Sequence, residues 1–298
     1  MKLDKILKRF RVDKGDKFRL ADFDCADTCG LSIDKADAKS MLADGIQRLS
    51  EMQERLYAQN QWSVLAVFQA MDAAGKDGVI KHVMSGVNPQ GCEVHAFKQP
   101  SAEELDHDFL WRVAQRIPER GRIGIFNRSH YEEVLVVRVH PEFLKKENLP
   151  DHIADGDVWE ERFKSIRNFE HHLARNGMRI LKFFLHVSKE EQRKRFLARL
   201  DEPAKRWKFS MGDVTERALW DKYMAAYEEM IRETSRPYAP WYVVPADNKW
   251  FARIVVASAM VEALENIDPQ VPKVTGEALK ELEKVRKALE AEGPKQKS

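Results

Sequence analysis

The sequence predicts an α/β fold, with a central parallel sheet of about five strands and helices packed on both of its faces. Two observations carry that prediction. Short apolar runs alternate with helical stretches along the chain, and right-handed crossovers between parallel strands place the intervening helices on the two faces. One run, Val64, Leu65, Val67 and Phe68, leads straight into Gln69-Ala70-Met71-Asp72-Ala73-Ala74-Gly75-Lys76-Asp77-Gly78 and a helix-forming stretch. It reads as strand, phosphate loop, helix.

Residues 1 to about 32 show no clear period and read as a surface-wrapping arm. Leu42, Ile46, Leu49 and Leu56 then recur at helical spacing, giving one amphipathic helix from about 35 to 60 that leads into the first strand. After the loop a helix continues through Val79 to Met84 and stops near Ser85-Gly86, with Asn88-Pro89-Gln90-Gly91 as a turn. Glu93 to Phe97 fits a second strand. Ser101-Ala102-Glu103-Glu104 is a capping box opening a helix to about Arg116, which Pro118 stops. Arg122 to Phe126 is a buried third strand that ends at Asn127-Arg128. Asp157 and Glu160 open another helix, closed by Asn176-Gly177, and Met178 to His186 returns as a fourth strand. Ser188 with Glu191 caps a helix to about Leu200, and Asp213 with Glu216 caps the next. Trp241 to Val244 is the fifth strand, and Phe251, Ile254, Val255 and Val261 define the helix after it. In the tail, Leu279, Leu282, Val285 and Leu289 share one face of a charged helix that either docks onto its own domain or contacts another copy. The last residues read as disordered. The organisation expected is an arm and helix over 1–60, a core over 61–270 with a lid at about 188–212, and a tail over 271–298.

The 298 residues are enough for one large domain or two small ones. With 33% charged and 43% hydrophobic residues the chain is soluble and globular in composition, and a formal net charge of +2 gives no global pull toward nucleic acid or membrane. Any anion site has to come from local clustering. No apolar run is long enough to span a bilayer, no apolar leader segment follows the basic N-terminus, and three scattered cysteines make no disulfide framework, so the expected location is the cytoplasm. Cys25 and Cys29 lack the second ligand pair that a zinc site needs.

In an open parallel sheet, ligands lie beyond the carboxyl ends of the strands, and three stretches converge there. In the first, the backbone N–H groups of Ala73, Ala74, Gly75, Lys76, Asp77 and Gly78 and the start of the following helix face an anion. Gly75 allows close backbone approach, and Lys76 and Lys81 supply charge. Against the usual G-x-x-x-x-G-K-[ST] pattern, Ala70 stands for the first Gly and Asp77 for the hydroxyl residue. Asp72 would repel phosphate unless a divalent cation bridged them, so it reads as a ligand of Mg²⁺, with Mn²⁺ the alternative; it could also orient a proton on the attacking phosphate oxygen, or simply cap the helix. At the end of the third strand, Asn127 stands where many phosphate-loop kinases place an Asp, and Arg128 can clamp phosphoryl oxygens bidentately. After the fourth strand, Arg193, Arg195, Arg199, Lys205, Arg206 and Lys208, interleaved with Phe196, Trp207 and Phe209, read either as a solvated charged face or as a mobile lid over a polyanion. Such a constellation suits phosphoryl transfer, which needs positioning and charge neutralisation more than covalent help.

Five ordered blocks carry a family resemblance: Met71 to Gly78, Ser85 to Gly91, Glu104 to Arg112, Phe126 to Glu132, and Pro203-Ala204-Lys205-Arg206-Trp207-Lys208. Together they resemble the polyphosphate kinase 2 family from about Leu42 to about Leu264. The resemblance implies a three-layer, thymidylate-kinase-like P-loop fold and Mg²⁺-dependent transfer between inorganic polyphosphate and a nucleotide. By position it implies Asp72, Lys76, Arg128 and Asn127 as the catalytic set, with Asp72 on the metal and Lys76 and Arg128 on phosphates. Arg193, Arg195 and Arg199 would belong to the lid, and His130, Tyr131, Glu132 and Glu133 to the nucleotide and its specificity.

Much of the family has Asp-Arg-Ser-Trp-Tyr where this chain has Asn127-Arg128-Ser129-His130-Tyr131. The Asn form resembles the subgroup called class III, which accepts both AMP and ADP. Phosphates would then slide by one unit along a basic channel, to which Lys81, Lys98, Arg112, Arg116, Arg120 and Arg122 are assigned. The implied partners are inorganic polyphosphate and adenine nucleotides, with guanine the alternative base, and neither nucleic acid nor membrane. The apolar tail face points to a homodimer or homotetramer. An ATP-dependent nucleoside monophosphate kinase and a binding protein without turnover are the competing readings of the same residues.

Overall fold

The computed structural model describes residues 3–31, 35–154, 156–208 and 210–292, without the side chains of 3–5, 35, 205 and 208. Its strands are β1 (Arg11–Val12), β2 (Ser63–Gln69), β3 (Cys92–Ala96), β4 (Ile123–Asn127), β5 (Met178–His186) and β6 (Trp241–Pro245). Helices of eight residues or more are α1 (Leu3–Phe10), α2 (Lys35–Gln59), α3 (Lys76–Val83), α4 (Val158–Arg175), α5 (Lys189–Asp201), α6 (Met211–Ala218), α7 (Trp220–Thr234), α8 (Lys249–Ile267) and α9 (Glu277–Glu292).

Among the described residues the six strands form one sheet in the order β1-β6-β5-β2-β4-β3. Every residue of β2 is buried, as the unbroken apolar run requires of a strand covered on both faces. It pairs in parallel with β4 (Val64 opposite Ile123) and with β5 (Ser63 opposite Met178), so the carboxyl ends of all three strands share one edge. The chain leaves β2 toward β3 on one side and leaves β5 toward β6 on the other. The crevice where those two exits part is the place an open α/β sheet offers a ligand.

Helix α8 packs against α2 on one face of the sheet. Nearly every side of α8 between Phe251 and Leu264 is buried, so no single apolar stripe marks it. On the other face α4 lies against β5 and α7. Between β5 and these helices sits a buried polar network. Lys182 is fully buried in mid-strand, and its Nζ donates to Glu170 Oε2 (2.7 Å), Tyr131 Oη (2.9 Å) and the Thr234 carbonyl (2.9 Å). Tyr131 Oη donates to Glu170 Oε1 (2.7 Å), and Trp241 Nε1 donates to Thr234 Oγ1 (2.9 Å). All three ammonium donors therefore have partners, which burial demands of a charge.

Two expectations are corrected and two are made more specific. The arm carries regular structure: α1 buries Ile6, Leu7 and Phe10, and β1 adds a sixth strand antiparallel to β6, Arg11 opposite Tyr242. The helix opened by Ser101 does have its capping box, but it covers only Ala102–Leu105 before a second turn at Trp111–Ala114. Between them the Asp108 carboxylate accepts from Leu110 N (2.9 Å), a local bond that competes with helix continuation. The cap assigned to Asp213 and Glu216 belongs to Ser210, whose Oγ accepts from Gly212 N, while Asp213 answers back to Ser210 N. Finally, α9 is exposed along its whole length, with Leu279, Leu282, Val285 and Leu289 49–62% exposed, so its apolar face does not dock on the described core. The disorder expected at the extreme tail falls on residues 293–298, outside the described residues.

Removing one partner from a buried ion pair strands the other. Lys182→Met should therefore cost about 3–5 kcal/mol in urea unfolding; a loss under about 1 kcal/mol would show that the network does not hold this face of the sheet together.

Candidate active site

The loop between β2 and α3 takes its shape from two left-handed residues, Ala73 (φ 60°) and Gly75 (φ 108°). Glycine adopts this conformation freely, whereas alanine at positive φ stores about 1–3 kcal/mol that its surroundings must offset. The turn places Lys76 at the start of α3, three residues earlier than the apolar pattern suggests. Its side chain is buried and Nζ donates to the Ala70 carbonyl (2.7 Å). Burial, and then the Arg128 charge, push the Lys76 ammonium down to about 8.

Arg128 follows β4 and also sits at positive φ (63°). Its backbone N–H bonds the Phe68 carbonyl, and its guanidinium spans two carboxylates: Nη2 to Asp72 Oδ1 (2.8 Å) and Nη1 to Glu132 Oε2 (3.2 Å). Those charges, Glu132 foremost, hold the guanidinium above its ordinary range. Beside it, Asn127 Nδ2 donates to Asp77 Oδ1 (2.9 Å). The departure at Asp77 in the loop and the departure at Asn127 after the third expected strand are thus one arrangement. A carboxylate at position 127 would face the carboxylate of Asp77 at hydrogen-bond distance, and a neutral amide removes that repulsion.

These groups open onto a cleft of about 680 Å³. Ala73, Ala74, Gly75, Lys76, Asp77 and Gly78 form its floor, with Asp72, Asn127, Arg128 and Lys98 beside them. The opposite wall comes from α5 and α6, through Lys194, Arg195, Arg199 and Asp213, and a third side from the start of α8, through Lys249 and Arg253. Arg199 pairs with Asp213 (3.6 Å), whose carboxyl is raised by burial and then by the charge of Asp72. Asp72 therefore faces a second acid across the cleft.

Other expected site residues lie elsewhere. His130, Tyr131 and Glu133, expected at the nucleotide, are buried and do not line this cleft. Tyr131 belongs to the Lys182 network, burial drives His130 down to about 3, and Glu133 faces Arg162 with its carboxyl pushed up to about 7 by burial and the neighbouring Glu147. Glu132 reaches the site only through Arg128. Lys81 is exposed on α3, outside the cleft. In the expected lid, Arg193 is exposed and paired with Glu190, and Arg206 bonds the Leu200 carbonyl. The side chains of Lys205 and Lys208, and all of Phe209, fall outside the described residues. Of the assigned channel residues, Lys98 lines the cleft and Arg112 bonds its carbonyl (2.8 Å). Arg120 bonds the carbonyls of Gln61 and Asn176, which precede β2 and β5, so it sits at the amino ends of the strands, at the opposite edge from the loop after β2. Arg122, bonded to the Gln90 carbonyl, is at that same end. Lys194, Asp213, Lys249 and Arg253 were missed. For Lys249 and Arg253 the signal was available, because the loop after the fifth strand also leaves the carboxyl edge.

Mg²⁺ takes one or two carboxylates and otherwise phosphate oxygens and water. Among the described residues no group of three or more His, Cys, Asp or Glu could hold an ion unaided. The cleft carboxylates Asp72, Asp77 and Asp213 therefore fit a hard cation that arrives with phosphate, and Asp72 is bound to Arg128 through Oδ1.

Residues 32–272 match the family described as polyphosphate kinase 2. The chain belongs to the polyphosphate kinase 2 family. It is 53% identical to an ADP-polyphosphate phosphotransferase of Rhodopseudomonas palustris, over 95% of this chain and 98% of that one. It is 50% identical to an AMP/ADP-polyphosphate phosphotransferase of Meiothermus ruber, over 90% and 96%. The crystal structure of polyphosphate kinase 2 from Arthrobacter aurescens superposes with a TM-score of 0.85 at 40% identity, covering 96% of this chain and 97% of that one. The fold is thus the P-loop kinase type found in polyphosphate kinase 2 structures. No described helix is long and apolar enough to cross a membrane.

A lysine that loses its proton near pH 8 grips anions less well above it, and a bound anion pulls the proton back. Tripolyphosphate affinity should fall as pH rises through about 8, with proton uptake on binding. Calorimetry in buffers of different ionisation enthalpy reads both, and binding without proton uptake across that range would show that Lys76 stays charged in the free protein.

Proposed function

We propose that this protein is a Mg²⁺-dependent polyphosphate:nucleotide phosphotransferase that converts AMP to ADP and ADP to ATP, reversibly, with inorganic polyphosphate as donor. The observation that carries the reading is the cleft itself: a phosphate loop faced on separate walls by Lys98, Arg128, Lys194, Arg199, Lys249 and Arg253. A nucleoside monophosphate alone needs fewer cations than this. A chain of phosphates, alike at every step, can occupy all of them.

In this reading the N–H groups of Ala73 and of Gly75 to Gly78, at the N-terminus of α3, bind phosphoryl oxygens, while the Ala74 N–H stays on the Met71 carbonyl (3.2 Å) and Lys76 adds a point charge from the cleft floor. Arg128 leaves its carboxylates to clamp the transferring group, its fork matching two oxygens at once. Asp72, released by that exchange, orients the attacking oxygen of the acceptor phosphate and would hold the metal with substrate oxygens. Bound Mg²⁺ would supply charge neutralisation on the transferring phosphoryl group. Lys194 and Arg199 on α5, with Lys249 and Arg253 on α8, hold the remaining polyphosphate, and its advance by one unit makes room for ADP or AMP. Mn²⁺ could replace Mg²⁺, since both take oxygen ligands. The uncovered apolar face of α9 supports a homodimer or homotetramer.

Acceptor range is the open point, since one relative at 53% is named for ADP alone and another at 50% for AMP and ADP. Purified protein mixed with Mg²⁺, long-chain polyphosphate and AMP, without ATP, should yield ADP and then ATP by chromatography, with ADP run in parallel. Conversion of ADP alone would remove the AMP step. No product from either acceptor would remove the reading.

Asp72→Asn should abolish turnover while leaving thermal unfolding unchanged, and Lys76→Met should cost about 10²–10³ in kcat, or about 2.7–4 kcal/mol. Asn127→Asp, which sets a second carboxylate against Asp77, should move the Mg²⁺ concentration optimum. Full activity in the Asp72 variant would overturn its assigned role.

A further inference from the structure

A loop that presents its N–H groups to an anion turns its carbonyls the other way, and those oxygens need partners of their own. Here they find them on one face of α5. Gln192 Nε2 donates to the Asp72 carbonyl (2.9 Å), and Arg195 Nη1 donates to the carbonyls of Ala73 (3.2 Å) and Ala74 (2.6 Å). Three consecutive loop carbonyls are thereby held by two residues at i, i+3 spacing, which share a helix face. Arg195 is anchored in turn: Nη2 donates to the carbonyls of Ala246 (2.5 Å) and Asp247 (3.1 Å), and Nε to Glu191 Oε1 (2.8 Å). Gln192 is anchored as well, its Oε1 accepting from Arg217 Nη1 (2.8 Å).

We infer that Arg195 and Gln192 are positioning residues that fix the phosphate loop in its anion-receiving shape, rather than cations or dipoles that touch polyphosphate. A guanidinium has five N–H donors, and these five bonds use them all, so none is left to a phosphate oxygen. The side chain is 8% exposed, and its nearest countercharge is already Glu191. Location supports the same role. The clasp spans the crevice where the exits of β2 and β5 part, joining the loop, the root of α5 and the end of β6, three segments that no strand pairing connects beyond the sheet edge. It also holds the left-handed turn at Ala73 and Gly75, and a Cβ placed on Gly75 would lie 3.7 Å from Arg195 Nη1.

The inference rests on the polyphosphate reading for its kinetic readout, but not for its structural one. Arg195→Lys separates the two roles, because lysine keeps the charge and cannot span four carbonyls from one nitrogen. It should lower kcat about 10²-fold, as small misplacements of reacting groups do. The salt dependence of the polyphosphate KM should stay as in the wild type, since no phosphate contact is lost. Hydrogen exchange at the amides of residues 72–78 should speed up in the variant and slow less on adding tripolyphosphate. Wild-type kcat in Arg195→Lys, or an unchanged exchange rate beside a shallower salt dependence, would overturn the inference. Should Arg195→Lys fail to fold, Gln192→Leu removes a single loop bond. It should raise exchange at the start of the loop and lower kcat less, and wild-type values for both would count against the clasp equally. Wild-type protein without turnover would remove the polyphosphate reading, and the exchange comparison would still decide the clasp.

Discussion

The parallel pairing of β2 with both of its neighbours is the constraint on which everything else depends. Because β4 and β5 run alongside β2 in matched register, Gln69, Asn127 and His186 reach the same edge of the sheet together. The buried interior admits no unpaired charge, so polar chemistry is pushed to that edge, where backbone groups also run out of strand partners. The phosphate loop, Arg128 and α5 all begin there. Even the one lysine that lies mid-sheet, Lys182, is tolerated only because Glu170, Tyr131 and Thr234 take all of its donors.

Within the cleft, opposite charges are interleaved rather than segregated. Arg128 rests between Asp72 and Glu132, and Arg199 against Asp213, while the neutral Asn127 amide donates to Asp77. Such pairing keeps a cation-rich cleft stable before substrate arrives, since like charges at these separations would otherwise raise one another's free energy. It also gives a polyanion something to displace. In the proposed reading, a polyanion that displaced them would leave those carboxylates to a divalent ion arriving with phosphate, and each would then favour the other's binding.

Much of this was legible in the sequence. Strands buried on both faces write unbroken apolar runs, and the five expected strands all exist. The loop signature located the floor of the cleft, and Ser188 caps α5 as its spacing with Glu191 indicates. What was not legible depended on partners distant in the chain. Arg195 stands in a basic run that looks like a lid, and only its carbonyl partners near Ala73 and Ala246 separate it from Arg199. His130, Tyr131 and Glu133 follow Arg128 and look available to a ligand, yet the 3-10 turn they occupy points them into the core. Trp241 and Tyr242 were legible as strand, but their antiparallel partner was hidden, because two residues are too few to show alternation.

That short β1 carries a consequence for how the chain is made. It covers the outer edge of β6, which would otherwise present free N–H and C=O groups to a neighbouring molecule. Its own partner is distant along the chain, Arg11 pairing with Tyr242, so β1 cannot be paired until β6 has been made. Closing so long a loop is slow, and the sheet edge stays open until it is done. Strand β1 is therefore a seal that can be set only once β6 is in place, and until then that edge is open to edge-to-edge pairing with another molecule.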